Sequence, residues 1–290
     1  MKVILSRKGF DSGTGGAPSP LLREQGKLVS FAIPEENKLY KEDTGRRYAD
    51  LQAFPGTTYL DLMEQLGLKG FSDTFAHLDP DILHGELVER EEGWKGVFGQ
   101  CDAAAKHLIN NHVEPGDLFL FFGWFRDAQI IKGQFRYISR TDKHIIWGYL
   151  QVGEIDKIDM DKEYESWKHQ HPHYRNRARN NNTGYVSRAR LSFAPELPGC
   201  GVFRFHPSLV LSSGNPYKRS EWLLPSCFSP SAGTKMTYHG NSERWKTQED
   251  TCILNSVCKG QEFVITGNPH VEEWAKKLFL MPSVLVLEKD

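Results

Sequence analysis

The segment 75–86, FAHLDPDILHGE, carries side chains that could move a proton. His77 and Asp79 are two residues apart, and His84 follows them. An imidazole beside a carboxylate can act as a general base that the carboxylate orients, and the same residue types can bind a divalent metal ion. An Asp-Pro-Asp string is also typical of a turn or a helix cap. We hypothesise that His77 and Asp79 are catalytic, with a metal site and a structural turn as the alternatives.

A glycine-rich loop near the N-terminus could bind an anion. It has the sequence SRKGFDSGTGG over residues 6–16. Glycines permit positive φ angles and let backbone N–H groups turn toward a phosphate, and an arginine adds a planar donor. The alternative is a solvent-exposed turn in which Arg7 pairs with Asp11. We predict Asp11 as a further catalytic base. The loop residues predicted to contact substrate are Ser6, Arg7, Ser12, Gly15 and Gly16.

The stretch 167–185 has the residue types of a nucleic-acid interface. It contains no acidic residue and follows the acidic run 154–165. Arginine binds phosphate, asparagine reads base edges, and tyrosine and histidine stack on bases. The predicted nucleic-acid contacts are His171, His173, Tyr174, Arg175, Arg177, Arg179, Asn180 and Asn182. The alternative is a solvated loop that pairs with the acidic run.

The H-x-H-x-H spacing at 169–173 also resembles a metal-binding comb. Alternate residues of a strand share one face, which would bring the three histidines together. The stretch offers them no carboxylate partner, however. We therefore expect no metal ion in this protein.

Two aromatic runs, 116–126 and 145–155, are similar to the core hairpin of PUA-like folds, the EVE and ASCH modules among them. Those small barrels hold RNA or a flipped modified base in an aromatic cleft. Trp124, Arg126 and Trp147 are the residues that would form such a cage here. The alternative is that these aromatic strands only fill the core.

Hydrophobic patterning predicts the elements that position these residues. The predicted strands are 2–5, 28–33, 114–125, 129–138, 144–155, 185–193, 201–205 and 262–266. The predicted helices are 57–67, 99–111 and a C-terminal one that begins at Asn268-Pro269. We expect an α+β fold: a single domain over 1–290 with a mixed, mainly antiparallel sheet or a partly open barrel, PUA-like in part, flanked by a few helices.

The composition limits the class of protein. The 290 residues carry a net charge of −1, so an affinity for nucleic acid would come from a local patch. The five cysteines are scattered without a C-x-x-C pair, which indicates reduced thiols. No 18-residue apolar run occurs, and we expect a cytoplasmic protein without membrane contact. Rossmann, H-E-x-x-H and deaminase signatures are missing, which disfavours redox chemistry and zinc deamination.

Several motifs together resemble the nucleotide modification associated domain 3 family, nearly from end to end. They are KVILSRKGFDSGTGGAPSP, HLDPD, GDLFLFFGWFR, HIIWGYLQVGEI, NNTGYVSRARLSF and SEWLLP. The resemblance implies a role around modified bases in bacterial or phage DNA. It brings no established catalytic residues, so the roles assigned above come from this chain alone.

Three hypotheses of function follow. The first is an enzyme that acts on a nucleotide, or on a base in DNA, by group transfer or hydrolysis. The alternative is a non-catalytic PUA-like reader that binds modified bases, and the third is a structural component of a modification complex. The expected partners are a nucleotide or nucleic acid, with DNA favoured, and other proteins of a base-modification system. The sequence identifies no cofactor.

Overall fold

The computed structural model describes residues 1–35, 45–83, 89–257 and 260–280. The described strands are β1 (Val3–Arg7), β2 (Ser19–Leu22), β3 (Lys27–Leu28), β4 (Ile33–Pro34), β5 (Arg46–Arg47), β6 (Gln52–Phe54), β7 (Thr57–Thr58), β8 (Phe75–His77), β9 (Val97–Gln100), β10 (Leu118–Ile131), β11 (Gln134–Tyr137), β12 (Lys143–Lys157), β13 (Thr183–Ser187), β14 (Cys200–Val202), β15 (Glu221–Pro225), β16 (Lys235–Met236), β17 (Trp245–Thr247), β18 (Thr251–Asn255) and β19 (Glu262–Thr266).

The described α-helices are α1 (Tyr59–Gln65), α2 (Asp102–Asn110), α3 (Pro172–Arg175) and α4 (Pro269–Lys277). Short 3₁₀ helices lie at Tyr48–Asp50, Ser166–Gln170, Pro207–Leu209, Ser226–Phe228, Pro230–Ala232 and Ser242–Arg244. Mostly antiparallel strands with a few helices make this an α+β fold, which confirms the predicted class.

A large central sheet has the strand order β16-β19-β1-β10-β12-β13-β9. The long strands β10 and β12 pair antiparallel, as the aromatic runs predict. β1 lies between β10, to which it is parallel, and the antiparallel β19. A register shift between Val152 and Glu154 separates the two halves of β12, and the second half pairs with β13. The described strands form an open sheet without a closed barrel, so the PUA-like expectation is not confirmed.

The buried apolar side chains form two large clusters. The first surrounds the central sheet and includes Phe119, Phe121 and Trp147. The second lies under α1 and includes Phe31 and Tyr48. Its buried members lie between residues 10 and 78, apart from Ala128 of β10 and Phe135 of β11, so the N-terminal part of the chain packs its apolar side chains against these two strands.

Helix α1 forms where capping chemistry and apolar spacing agree. Thr58 and Asp61 form a reciprocal capping box at its N-terminus. Tyr59, Leu62 and Met63 share one face and are buried in the second core. The predicted helices α2 and α4 are also confirmed. α2 buries Ala105 and Leu108, and α4 starts with Pro269 after the capping residue Asn268.

Several predicted strands differ from the pattern. The predicted strand 129–138 is a hairpin, in which β10 ends at Ile131 and β11 begins at Gln134, and 201–205 is a strand only as far as Val202. In 28–33, the Phe31 N–H is donated to the Ser19 hydroxyl at 3.0 Å, so the side chain of Ser19 interrupts the ladder. In 185–193, β13 ends at Ser187 because the chain then folds back through an Arg190–Pro198 bridge. The alternating pattern beyond Ser187 therefore describes a hairpin bend.

The cysteines described by the structure, Cys101, Cys200, Cys227 and Cys252, form no disulfide. Cys258 and His84 lie outside the described residues. Among the helices that the structure describes, none is long and apolar enough to cross a membrane.

Two histidines are buried in neutral form in the core. Trp222 Nε1–H donates to His144 Nδ1 at 2.9 Å, and His239 Nδ1 lies 3.0 Å from the Thr237 carbonyl. Burial lowers the pKa of His144 to about 3 and that of His239 to about 4, and nearby arginine charges add to the effect. Below pH ~6.5 these two histidines bind protons in the unfolded chain but not in the folded chain, so the free energy of unfolding decreases as the pH falls.

Replacing one of these histidines should flatten this pH dependence. In His144→Asn, the amide oxygen can still accept from Trp222, but the side chain no longer titrates. We expect the slope of the unfolding free energy between pH 6 and pH 5 to decrease by about 1 kcal/mol per pH unit. Urea denaturation across this range measures it, with exposed His112→Asn as the control. An unchanged slope in His144→Asn would contradict the buried neutral state.

Candidate functional site

Asp79 lies just after β8, in a position that buries its carboxylate. The side chain is 7% exposed. Asp79 Oδ1 accepts a hydrogen bond of 2.7 Å from the Gly99 backbone N–H. Two imidazoles face the same carboxylate: His171 Nε2 is 3.3 Å from Oδ1, and His173 Nε2 is 3.8 Å from Oδ2. The ring of His77 packs edge-on against His173 with centroids 5.7 Å apart. We call these four residues the histidine–aspartate cluster: His77, Asp79, His171 and His173.

The two distal histidines reach this cluster on a helical turn. Residues 166–175 form a 3₁₀ helix followed by α3, so the expectation that the histidines alternate along a strand is wrong. Pro172 occupies the first turn of α3, where its missing N–H costs nothing, and His171 Nδ1 accepts the His173 N–H as a cap. The expectation that no carboxylate is near these histidines is also wrong, because Asp79 approaches from a distant part of the chain.

The hydrogen bonds of two imidazoles define their tautomers. Asn182 donates its amide N–H groups to the carbonyls of His173 and Asn176, at 2.9 and 3.0 Å. Its oxygen must therefore accept from His173 Nδ1–H, at 2.7 Å. His77 Nδ1 lies 2.6 Å from the Glu35 carboxylate, which can only accept when ionised. The Nδ1 proton is thereby fixed in both histidines, so that in the neutral form of each ring the lone pair is on Nε2.

Electrostatics keeps this site in a defined charge state. Burial alone would raise the pKa of the Asp79 carboxyl, but contact with His171 and the charges of His173 and Lys8 lower it well below its usual range. Burial lowers the pKa of His173 to about 4. At neutral pH the site therefore holds an ionised carboxylate beside a neutral imidazole.

A buried ion pair supports the cluster from the central sheet. Lys8 Nζ lies 3.1 Å from Glu262 Oε1, and both side chains are almost fully buried. Gln100 Nε2 donates to the same carboxylate oxygen at 2.6 Å. Lys8 also lies over the ring of Phe98, 4.5 Å from its centroid. Since Lys8 lowers the pKa of Asp79, the residue that directly follows β1 contributes a positive charge to the site.

A cavity of about 290 Å³ adjoins the cluster, and we call it the main cavity. Leu28, Ile82 and Phe203 of the first core line it together with Val29 and Tyr59 of the second core. The main cavity is therefore a gap between the two cores. Its remaining lining residues are Gly9, Gln25, Gly26, Lys27, Ser30, Ala32, Gln52, Ala53, Leu78, Asp79, Pro80, Leu83, Trp147, Val202 and Arg204.

A second, much smaller depression of about 30 Å³ lies next to β8. His77 and Glu35 line it together with Arg175 and Arg179. It brings a predicted catalytic histidine next to two of the predicted nucleic-acid contacts.

Comparison with known families bears on what this arrangement does. The sequence model of nucleotide modification associated domain 3 matches residues 2–266. The chain belongs to this family. The resemblance seen in the sequence is thereby confirmed, and the family's description associates the chain with nucleotide modification. No curated protein and no solved structure matches the chain.

In this member of the nucleotide modification associated domain 3 family, the stretch 167–185 is mostly internal. His171, His173, Tyr174 and Asn182 are buried. Tyr174 donates its hydroxyl to Asp156 at 2.5 Å, so the basic stretch does contact the acidic run before it. The more accessible predicted contacts are Arg175, Arg177, Arg179 and Asn180. Arg177 donates to the carbonyls of Tyr174 and Lys162, and Arg179 pairs with Asp102 at 2.8 Å.

The glycine-rich loop folds back on itself. Asp11 Oδ1 accepts the backbone N–H groups of Gly13 and Thr14, and the Asp11 carbonyl accepts that of Gly16. Gly15 has a φ of +80°, and a Cβ there would lie 2.3 Å from the Phe10 ring. Ser12 accepts from Arg219, and Arg7 donates to the carbonyls of Val257 and Gly260. Ser6 is buried, and its hydroxyl has no hydrogen-bond partner within the described part of the chain.

The predicted aromatic cage is divided between two places. Trp147 is buried and lines the main cavity. Trp124 and Arg126 are instead bound by Asp142, which accepts from the indole at 2.5 Å and from Nε and Nη2 of the Arg126 guanidinium. Arg219 stacks over Trp124 at 4.1 Å. Of the predicted site residues, the fold brings together His77, Asp79, His171 and His173, with Trp147 at the adjoining cavity.

Sequence reasoning missed three residues that hold this site together. Glu35 binds His77, Gly99 binds Asp79, and Lys8 acts on Asp79 through its charge. Lys8 stands in the glycine-rich loop motif and could have been chosen for its charge. Glu35 and Gly99 carry no local signal, because their roles arise only from contacts across the fold.

Gly99 leaves room for the two distal histidines. A Cβ at this position would lie 2.3 Å from His173 Cδ2 and 2.9 Å from His171 Cε1. We expect Gly99→Ala to displace both rings and to lower the unfolding free energy by about 1–3 kcal/mol, the usual cost of overpacking. Urea denaturation and imidazole ¹H–¹⁵N spectra measure the two effects. Gly240→Ala is the control, since a Cβ at Gly240 meets no atom within 4 Å. Unchanged imidazole signals in Gly99→Ala would contradict the packing described here.

Proposed function

We propose that this chain catalyses a step in the modification of a nucleotide, or of a base in DNA, by group transfer or hydrolysis. The single observation that carries the proposal is the double position of Asp79. This residue belongs to the histidine–aspartate cluster and also lines the main cavity. A ligand in the cavity would therefore contact the residue whose carboxylate its neighbours keep ionised.

The lining of the main cavity suits a base with a phosphate attached. Its walls are largely apolar, and Tyr59, Trp147 and Phe203 offer aromatic rings for stacking. Lys27 and Arg204 supply positive charge for a phosphate in the same cavity. A volume of about 290 Å³ is close to the lower end of small-molecule sites (~300 Å³) and favours one nucleoside over a stretch of strand. A base in duplex DNA would have to be flipped to enter it.

The roles of the catalytic groups follow from their charge states. Asp79, ionised, can accept a proton from the substrate. The bond to Glu35 holds a proton on His77 Nδ1, so Nε2 is the ring nitrogen that would exchange a proton with the substrate. Arg175 and Arg179 line the depression beside His77 and would meet the backbone of a polynucleotide that extends past the cavity. Asp11 has no described contact with this cluster and plays no part in the proposal. The glycine-rich loop contributes only Lys8, through its charge, and Gly9, which lines the main cavity.

Filling the main cavity should prevent nucleotide binding. We expect Leu83→Trp to weaken the binding of at least one of the common ribo- or deoxyribonucleoside monophosphates by about tenfold or more, ~1.4 kcal/mol, because the indole occupies the space of the base. Isothermal titration calorimetry of the wild type and the variant with all eight nucleotides measures this. Leu223→Trp is the control, because Leu223 is exposed and lies outside the cavity lining. Failure of all eight nucleotides to bind the wild type would overturn the proposal.

Removing the charge of Asp79 should abolish turnover. We expect Asp79→Asn to reduce modification by about 100-fold or more, the usual contribution of a general acid–base group. The measurement is mass spectrometry of nucleosides from the DNA and the nucleotide pool of bacteria that express each variant. Asp127→Asn is the matched control, a buried aspartate that pairs instead with Lys143 at 2.9 Å. Nucleotide binding without any modified product would favour the reader, and full modification by Asp79→Asn would contradict the catalytic role.

A further inference from the structure

We infer that His77, Asp79 and His173 bind a divalent transition-metal ion. The role of this ion as a cofactor of nucleotide modification rests on the function proposed above, whereas its binding can be tested by itself. The inference revises the expectation, drawn from the sequence, that the protein holds no metal.

The donor atoms are close enough to share one ion. One ligand atom from each of His77, Asp79 and His173 lies within 4.8 Å of the others. Imidazole nitrogens and carboxylate oxygens sit ~2.0–2.2 Å from Zn²⁺, which puts bound donors roughly 3–4 Å apart. The separation of 3.8 Å between His173 Nε2 and Asp79 Oδ2 is already in this range. Small side-chain rotations would complete the set.

Lone pairs converge here without a proton between them. The bond to Glu35 holds the proton of His77 on Nδ1, and the bond to Asn182 does the same for His173, so Nε2 is the nitrogen that each neutral ring offers to an ion. His173 Nε2 faces an oxygen of Asp79, which is also an acceptor. Two acceptors that face each other in a buried site repel, and a cation between them would turn this repulsion into attraction.

The residues behind the donors resemble the outer shell of a metal site. Metal-binding histidines usually donate their other ring N–H to a carboxylate or a carbonyl group, which sets their orientation. Here Glu35 accepts from His77, and the amide oxygen of Asn182 accepts from His173. The Gly99 N–H holds Asp79 Oδ1, which leaves Oδ2 on the side of His173. Each of the three metal-binding side chains thus has a hydrogen-bond partner that orients it.

His171 supplies an independent observation. The residue is 2% exposed, and its Nε2 has no hydrogen-bond partner in the part of the chain that the structure describes. Nε2 is aimed at Asp79 Oδ1 from 3.3 Å, in a contact without hydrogen-bond geometry. Because His171 Nδ1 accepts the His173 N–H, its Nε2 carries the proton. His171 is therefore a positioning residue, which can donate to Asp79 once the carboxylate turns toward an ion.

The donor set indicates the class of ion. Two imidazoles and one carboxylate suit Zn²⁺, Fe²⁺ or Co²⁺, whereas Mg²⁺ and Ca²⁺ prefer oxygen ligands. Three protein ligands leave coordination positions open for water or substrate. A bound ion of this class can polarise a substrate oxygen or lower the pKa of water, which would serve either hydrolysis or group transfer at Asp79.

Metal titration of the chelator-treated full chain tests the inference. We expect one Zn²⁺ per chain by calorimetry, and visible absorption bands of Co²⁺ that report nitrogen and oxygen ligands. His77→Ala should reduce the affinity by more than about 100-fold because it removes a ligand. Glu35→Gln should reduce it by ~10–100-fold because it removes only an outer partner. His77 is partly exposed, so its replacement should leave the fold intact, and urea denaturation verifies this.

His206→Ala is the matched control. His206 precedes a proline and caps a helical turn, as His171 does, but lies outside the cluster. Its replacement should leave metal affinity unchanged. Failure of Zn²⁺, Co²⁺ and Fe²⁺ to bind, or equal affinity in wild type and His77→Ala, would overturn the inference. If the protein binds nucleotide in a way that Leu83→Trp weakens but binds no metal ion, the metal site is refuted and the proposed function stands. If it binds metal but no nucleotide, the metal site stands and the proposed function is refuted.

Discussion

A buried carboxylate is the constraint on which this site depends. Removing an ionised carboxylate from water costs far more free energy than a single hydrogen bond returns, so Asp79 needs several partners at once. The fold supplies the Gly99 N–H, two imidazoles and the charge of Lys8. These partners come from three separate parts of the chain, and Asp79 itself from a fourth. The need to assemble them explains why β8, β9, α3 and β1 meet where they do.

The position of the main cavity follows from the existence of two cores. The central sheet buries one set of apolar side chains, and α1 with its neighbouring strands buries another. Two convex cores do not close completely on each other, and binding sites commonly form at such boundaries. Asp79 and Pro80 line this gap just after β8. The histidine–aspartate cluster and the main cavity are therefore adjacent, an arrangement that suits a site where a small molecule binds and reacts.

The histidines at 171 and 173 show how a spacing that is typical of one secondary structure can occur in another. Their spacing fits a strand, but Pro172 favours a helix start, and the His171 ring caps that turn. Their buried rings serve Asp79, whereas the more accessible Arg177 and Arg179 bind nearby carbonyl and carboxylate groups. A residue type that suits nucleic acid at a surface suits a carboxylate or an ion when it is buried.

The sequence alone determined the family, the α+β class, the helices α1, α2 and α4, and the paired strands β10 and β12, because these depend on local spacing and capping. It also indicated His77 and Asp79, since two polar groups so close together carry a chemical signal. Only the tertiary structure decided that His173, Asn182, Glu35 and Gly99 join them. Contacts between residues far apart in the chain depend on how elements pack, and local patterns contain no record of that packing.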